Sequence, residues 1–262
     1  MNRLDKELVN RNLVETRTKA QELISRGAVI VNGKAQTKVS LNVADTDQIT
    51  ITDTEILKYV SRGGFKLEKA IEVFNVDVKD KIVMDIGSST GGFTDCSLQH
   101  GAKKVIAVDV GTDVMHKSLR DDTRVELHEN TNIKDVNHEK FESVDLIVVD
   151  VSFVSLERIV EKISAENIQV DMICLIKPQF ECGKVIATKY GGVIKSKTVH
   201  KNVLNNVVKF FNKNNFYLQG LDFSPIKGGD GNIEYISHFT NKTDKNFNVE
   251  IEKVVNVAFG QK

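Results

Sequence analysis

The pattern of apolar and polar positions changes once along the chain, near residue 56. Before that point the pattern predicts two short amphipathic helices, the second of which Gly27 is placed to end. The stretches AVIV and QITI are extended, and the dipeptide Asn32-Gly33 after AVIV is a strong hairpin signal. The sequence therefore predicts a compact helix-helix-hairpin domain over residues 1–56.

From Lys81 onward, short apolar strands alternate with glycine-containing loops and polar helical stretches. The strand segments are IVMDIG, VIAVDVG, DLIVVDVSFVSL and MICLIKPQF. This alternation predicts an α/β fold of the Rossmann-like type, with a parallel sheet covered by helices on both faces. We assign it to residues 61–262, after a linker at 57–60. In such sheets ligands bind beyond the carboxyl ends of the strands.

Composition narrows the classes of function. The chain has 36 Lys or Arg against 36 Asp or Glu, so any nucleic-acid surface must be local. Its three cysteines lack CxxC spacing, which argues against a zinc site and a disulfide scaffold. The first residues are charged, and no apolar run is long enough to span a bilayer. We expect a reduced, soluble, cytoplasmic protein.

Residues 1 to 40 are basic, with eight Lys or Arg against four acids. A solvated surface would explain that charge by itself. The run TRTKAQELISRGAVIVNGK, however, resembles the S-four RNA-binding domain, and the resemblance covers about residues 1 to 52. It implies RNA contact through Arg17, Lys19, Arg26 and Lys34. We add Arg62, in the SRGG segment, to this RNA-binding set.

The glycine loop after the first strand of the sheet reads DIGSSTGGF, which differs from the GxGxxG of dinucleotide enzymes. Asp85 at the end of that strand would repel a pyrophosphate but suits a cationic ligand such as S-adenosylmethionine. Asp109, which ends the second strand, is placed to bind the ribose hydroxyls of that cofactor. The alternative is an ordinary tight turn. The predicted cofactor residues in and near this loop are Asp85, Gly87, Ser88, Gly91, Gly92, Phe93 and Asp109.

Four charged residues fall near the same edge of the predicted sheet. Asp150 and Lys177 end two strands, and Glu234 precedes a late hairpin strand. Lys66 lies beside the apolar face of a helix that can cover this edge. Taken singly, a surface lysine or an aspartate that caps a helix is an equally good explanation. Taken together, the four predict a catalytic cluster.

The motifs YVSRGGFKL, DIGSSTGGFTD, VVDVSF, LIKPQFE and NIEYI resemble the TlyA family, often called hemolysin A. The resemblance implies a class I S-adenosylmethionine-dependent methyltransferase of the FtsJ-like type that modifies ribosomal RNA on a ribose 2′-hydroxyl. It also implies a catalytic tetrad at Lys66, Asp150, Lys177 and Glu234, and an adenine contact at Asn132. The family has Arg and Trp in its linker, whereas this chain has LKYV and no Trp anywhere.

The tetrad suits ribose methylation, because a 2′-hydroxyl is a poor nucleophile until its proton leaves. Lys177 could accept that proton only as a neutral amine. The charge of Lys66 would help to keep Lys177 neutral, Asp150 would orient the lysine, and Glu234 would anchor Lys66 or the sugar. No metal is expected.

Two other functions stay open at this point. One is a non-catalytic RNA-binding factor in ribosome assembly, which a cofactor-binding assay would distinguish. The other is a hemolysin that acts on membranes, which the absence of a predicted spanning segment disfavours. The sequence leaves open the target nucleotide, the ribosomal subunit and the oligomeric state.

Overall fold

The structure is a computed structural model that describes residues 1–53 and 55–260. The chain forms two compact units, Met1–Tyr59 and Val60–Lys262. Parts of the predicted ranges 1–56 and 61–262, namely residue 54 and residues 261–262, lie outside the described residues. The predicted domain limits stay a prediction.

The first unit combines two helices with short strands. Strands β3, β2 and β5 form, in that order, an antiparallel sheet, and β1 pairs with β4. The elements are β1 (Asn2–Arg3), α1 (Leu4–Asn10), α2 (Arg17–Ser25), β2 (Val29–Val31), β3 (Lys34–Gln36), β4 (Asn42–Val43) and β5 (Ile49–Ile51).

Local sequence explains the turns of this unit. Asn32 and Gly33 have φ angles of 48° and 79°, as a two-residue hairpin turn between β2 and β3 requires. Gly27, with φ of 73°, follows the end of α2, and its N–H donates to the Ile24 carbonyl at 2.9 Å. Buried apolar side chains from both helices and from β2 share one core. The predicted helix-helix-hairpin arrangement is confirmed.

The second unit is an α/β domain. Its strands are β6 (Ile82–Ile86), β7 (Lys104–Val108), β8 (Val125–His128), β9 (Leu146–Val149), β10 (Asp171–Ile176), β11 (Tyr217–Phe223) and β12 (Tyr235–Thr240). Its helices are α3 (Gly63–Phe74), α4 (Gly92–Gln99), α5 (Lys117–Arg120), α6 (Leu156–Ala165), α7 (Pro178–Glu181), α8 (Lys184–Lys189), α9 (Lys197–Lys213) and α10 (Ile251–Gly260).

These strands form one sheet in the order β11-β12-β10-β9-β6-β7-β8. Strands β6 to β10 are parallel, and β12 is antiparallel to both β10 and β11. The direction of winding reverses between β6 and β9, so the carboxyl ends of these two strands flank a topological switch point, where ligands bind in such folds. The predicted Rossmann-like α/β fold is confirmed.

Two flanking helices bury apolar positions that recur at helical spacing. In α3 the side chains of Leu67 and Ala70 are fully buried, as the helical spacing predicts. In α10, Val255 and Ala258 are buried in the same way. Within residues 1–53 and 55–260, no helix has both the length and the apolar character needed to cross a membrane.

Candidate active site

Glycines allow three segments to approach one another at the switch point. A Cβ added to Gly87, directly after β6, would lie 2.8 Å from the Asp150 carbonyl oxygen. A Cβ on Gly92, at the start of α4, would lie 2.4 Å from the Ser61 hydroxyl and 3.0 Å from Gly63 Cα. The contacts of 2.8 Å and 2.4 Å are shorter than any that a real Cβ makes. The glycine loop therefore brings the start of α3 and the end of β9 against β6.

The four predicted catalytic side chains lie together at this point. Lys66, one turn into α3, donates from Nζ to Glu234 Oε2 at 2.8 Å and lies 3.7 Å from Asp150 Oδ2. Lys177 Nζ lies 2.6 Å from Asp150 Oδ1. Lys66, Lys177 and Glu234 are buried, with at most 8% of their surface exposed. Asp150 thus lies between the two lysines, and Glu234 pairs with Lys66.

Further side chains support this cluster, and the sequence did not predict them. Ser152 Oγ accepts a hydrogen bond from Lys177 Nζ at 2.9 Å, and Gln179 Nε2 donates to Glu234 Oε1 at 3.2 Å. A Cβ on Gly228 would lie 2.5 Å from Glu234 Oε1, so a larger residue here would displace the carboxylate from its present position. A weak signal existed in the sequence, because Ser152 and Gln179 each follow a predicted catalytic residue by two positions.

Glu181 joins the segments that follow β9 and β10. Its carboxylate accepts hydrogen bonds from Ser155 Oγ at 2.8 Å and from the Leu156 N–H at 2.9 Å, at the start of α6. Burial raises the pKa of Glu181 above its ordinary value, and the two hydrogen bonds oppose that shift. This contact fixes the position of α7 relative to the chain beyond Asp150.

The loop that carries Glu234 is held by one buried amide. Asn232 Nδ2 donates to the Gly192 carbonyl at 2.8 Å, and the Ile194 N–H donates to Asn232 Oδ1 at 3.0 Å. Only 3% of the Asn232 surface is exposed. The segment before α9 is therefore tied to the loop before β12, two residues from Glu234.

Two cavities meet at the cluster. One, of about 310 Å³, lies beside Lys66, Gln179 and Glu234. The other, of about 160 Å³, is lined by glycine-loop residues including Gly87, Ser88, Gly92 and Phe93. They share Gly63, Asp150, Ser152 and Lys177. A group held in one cavity can therefore reach a group held in the other.

An aromatic pair borders the larger cavity. Phe153 has φ of 65°, which is uncommon for a bulky residue, and 87% of its surface is exposed. Its ring centroid lies 4.8 Å from that of Phe180, which lines the larger cavity. The rim of this cavity therefore carries an apolar surface that the sequence pattern did not indicate.

Polar groups beside the smaller cavity favour a cationic ligand. Asp85 is fully buried and accepts a hydrogen bond from Thr94 Oγ1 at 2.6 Å. Within residues 1–53 and 55–260, neither Asp85 Oδ1 nor Ser88 Oγ has a hydrogen-bond partner. Burial raises the pKa of Asp85 to about 7, the hydrogen bond from Thr94 opposes this shift, and the charge of Asp150 adds to it. An amino group of a ligand would satisfy such a carboxylate, so the residues fit S-adenosylmethionine.

The remaining predicted cofactor residues lie on the neighbouring loops. Asp109, after β7, accepts from the Ser89 N–H at 2.7 Å and from the Gly111 N–H at 2.6 Å, which holds its carboxylate beside the glycine loop. Gly91 has φ of 94° and precedes α4. Asn132 is exposed, its Oδ1 accepts from the Lys134 N–H, and it is not among the described residues that line the two cavities.

Most of the predicted RNA-binding side chains of the first unit are ion-paired there. Arg17 lies 2.7 Å from the buried Asp5, Lys19 lies 3.1 Å from Glu15, and Arg26 lies 3.0 Å from Glu22. Lys34 is exposed on the hairpin. In the second unit, Arg62 is exposed and lines the larger cavity. Arg17 therefore has a structural contact that the sequence did not reveal.

The described residues show no group of three or more His, Cys, Asp or Glu side chains that could hold a metal ion. The ionisable cluster at the switch point instead pairs lysines with carboxylates. Its arrangement suits proton transfer and the binding of polar ligands.

Comparison with known proteins identifies the family. The model for FtsJ-like methyltransferases matches residues 59–241, and the S4 domain model matches residues 2–49. A hemolysin A from Brachyspira hyodysenteriae is 44% identical over 240 residues, which is 90% of this chain and 99% of that protein. The 16S/23S rRNA (cytidine-2′-O)-methyltransferase TlyA of Mycobacterium tuberculosis H37Rv is 36% identical over 93% of this chain and 91% of that protein.

A solved structure of a protein described as a hemolysin, from Streptococcus thermophilus, has a TM-score of 0.78 and 38% identity. The match covers 99% of this chain and 96% of the Streptococcus thermophilus chain. Both the family models and the relatives extend over the two units. The chain therefore belongs to the FtsJ-like methyltransferases that carry an S4 domain, the family that includes these TlyA and hemolysin A proteins.

Proposed function

We propose that this protein transfers a methyl group from S-adenosylmethionine to a ribose 2′-hydroxyl of ribosomal RNA, in the cytoplasm. The observation that carries the proposal is that Asp150, Ser152 and Lys177 line both cavities at the switch point. Methyl transfer to a hydroxyl requires a methyl donor and a hydroxyl held next to each other, with a proton acceptor beside the hydroxyl. The activity in the name of the Mycobacterium tuberculosis relative, rRNA (cytidine-2′-O)-methyltransferase, supports the same reaction.

We assign the cofactor to the smaller cavity. S-adenosylmethionine would supply a reactive methyl group on a positively charged sulfur. Asp85 and Ser88 have polar atoms that can bind its amino acid end, and Asp109 is fixed where a ribose could bind. The proposed cofactor residues are Asp85, Gly87, Ser88, Gly91, Gly92, Phe93, Asp109 and Asn132.

We assign the target ribose to the larger cavity, where the tetrad positions it and removes its proton. The 2′-oxygen would form a bond to the methyl carbon while the carbon–sulfur bond breaks, and Lys177 Nζ, in its neutral amine form, would accept the hydroxyl proton. Asp150 and Ser152 hold Lys177 in place by contacts of 2.6 Å and 2.9 Å. Lys66 and Glu234 line the same cavity and would bind the sugar.

We further propose that the first unit recruits RNA without supplying a catalytic group. Its candidate contacts are Arg17, Lys19, Arg26 and Lys34, to which Arg62 of the second unit adds one at the larger cavity. Contacts of this kind are made to phosphates, so binding should weaken steeply with salt.

Two experiments test the function. The first maps 2′-O-methyl groups on ribosomal RNA from cells with and without the protein, and at least one methyl group should depend on it. The second measures single-turnover methylation by Lys177→Ala and Lys66→Ala. Lys177→Ala should lower the rate about 100- to 10,000-fold at every pH. Lys66→Ala should also lower the methylation rate at neutral pH. Its rate should partly recover in alkaline buffer, where the neutral amine of Lys177 forms more readily.

Lys213→Ala, at the exposed end of α9, serves as the control and should keep the normal rate. Equal, pH-independent losses in the two tetrad variants would mean that both lysines only hold the substrate. Cofactor binding without any methyl group on RNA would instead favour a non-catalytic assembly factor.

A further inference from the structure

A fully buried histidine on α9, His200, connects two segments of the chain near Glu234. Its Nδ1 lies 2.8 Å from the Tyr235 hydroxyl, and its Nε2 lies 3.0 Å from the Ile194 carbonyl oxygen. Because that carbonyl oxygen only accepts, Nε2 must carry a hydrogen. Burial lowers the pKa of His200, although the bond to Ile194 opposes this shift, and burial raises the pKa of Tyr235. Both side chains are therefore neutral, and the Tyr235 hydroxyl donates to Nδ1.

The tyrosine that His200 binds is next to two residues of the tetrad. Tyr235 directly follows Glu234 and begins β12. The Ser224 N–H donates to the Glu234 carbonyl at 2.8 Å, so the pairing of this strand with the chain after β11 includes Glu234. On the other side, Tyr235 pairs with Ile176, the residue before Lys177. A change in the position of Tyr235 would therefore move the main chain of Glu234.

The second contact of His200 reaches the same loop by another route. Ile194 is buried, and its N–H donates to Asn232 Oδ1 at 3.0 Å while its carbonyl accepts from His200. Asn232 lies two residues before Glu234, and the tyrosine bound to His200 lies one residue after it. Glu234 is therefore flanked on both sides by side chains that bind Ile194, one of them directly and the other through His200.

We propose that His200 is a positioning residue for methyl transfer, which holds Tyr235 and Ile194 so that Glu234 meets Lys66. The proposal rests on the proposed function, in which Glu234 and Lys66 bind the sugar. His200 is not among the described residues that line either cavity, so it would act without touching a ligand. A displacement of about 1 Å can slow an enzyme about 100-fold, and Glu234 Oε2 is held only 2.8 Å from Lys66 Nζ.

The test measures single-turnover methylation by full-length protein of ribosomal subunits that carry the mapped target, at saturating cofactor. His200→Phe keeps an aromatic ring but loses both hydrogen bonds, so its rate should fall about 10- to 100-fold at unchanged cofactor affinity. Tyr235→Phe loses only the hydroxyl and should slow transfer less. Phe211→Leu is the control for lost stability, because Phe211 is buried near the other end of α9, with its ring 4.1 Å from that of Phe239. It should keep the normal rate even where urea denaturation shows it destabilised.

Double variants separate positioning from general stability. His200→Phe should cost little further rate when Glu234→Ala is already present, because the side chain that it positions is then gone. Tyr235→Phe should likewise add little to His200→Phe, and this second comparison does not depend on the activity left in Glu234→Ala. Independent, multiplying losses in either comparison would refute the inference.

Two results with single variants would also refute it, and the proposed function would stand. One is a normal rate for His200→Phe. The other is a loss in Phe211→Leu as large as that in His200→Phe, which would mean that His200 only stabilises the packing of α9. Absence of methylation by the wild type would instead refute the proposed function, and this inference with it.

Discussion

Asp85→Asn tests whether the buried acid at the end of β6 carries a proton near neutral pH. The raised pKa, about 7 against an ordinary 3.8, means that the folded chain binds this proton more tightly than the unfolded chain. The contribution of Asp85 to the free energy of unfolding is therefore fully present below about pH 4 and is lost as pH rises to about 7. About three pH units, at about 1.4 kcal/mol each, correspond to about 4 kcal/mol.

Urea denaturation between about pH 5 and pH 8 would measure this effect. The asparagine mimics the protonated acid and can still accept from Thr94. The free energy of unfolding should therefore fall less with rising pH in Asp85→Asn than in the wild type. Asp244→Asn, at an exposed position, is the control. A difference between wild type and Asp85→Asn that stays constant over this pH range would refute the reasoning.

The same substitution should change cofactor binding. A cationic ligand favours the ionised form of Asp85, so binding to the wild type should release a proton below about pH 7 and weaken toward about pH 5. Asp85→Asn should bind more weakly, and its affinity should vary less with pH. Calorimetry in two buffers of different ionisation enthalpy would count the proton. Proton release that is equal in the two proteins would assign it to another group.

Three further substitutions test packing contacts, two at the site and one in the first unit. Gly92→Ala would place a Cβ 2.4 Å from Ser61 Oγ, so cofactor affinity and the thermal midpoint should both fall, whereas Gly260→Ala should change neither. Asn232→Ala removes the two hydrogen bonds of a buried amide, so methyl transfer should slow at unchanged cofactor affinity. Asp5→Asn weakens the carboxylate contacts of the first unit, and urea denaturation should show that unit destabilised by about 1.5 to 3 kcal/mol.

The sequence predicted the part of the site that follows from sheet geometry. Asp150 and Lys177 could be placed because parallel strands end at one edge, and Glu234 because it precedes an antiparallel strand at that edge. The position of Lys66 depended in addition on the resemblance to a known family. The helix that carries Lys66 can approach the sheet because Gly63 and Gly92 pack closely against each other. A hydrophobic pattern in the sequence does not predict such a contact.

The supporting contacts could not be predicted, because they join segments far apart in sequence. Gln179 meets Glu234 across 55 positions, and Glu181 meets Ser155 across 26. The same limit applies to charge. The basic character of the first unit was evident, but the pairing of Arg17 with Asp5 depends on how α1 packs on α2. The residue types indicated which of these side chains carry charge or form hydrogen bonds. Which side chains they contact depends on the fold.

The arrangement of Asp150 changes the expected role of Lys66. The sequence predicted that one ammonium would repel the proton of the other, but Asp150 contacts Lys177 at 2.6 Å and Lys66 at 3.7 Å. Two lysines and two carboxylates carry no net formal charge, so repulsion between the lysines is largely compensated. We therefore expect Lys66 to act through Asp150. Because this carboxylate also interacts with Lys66, its attraction for Lys177 is weaker. Loss of Lys66 would leave Asp150 to hold the ammonium form of Lys177 more strongly, which is the physical reason to expect recovery of Lys66→Ala in alkaline buffer.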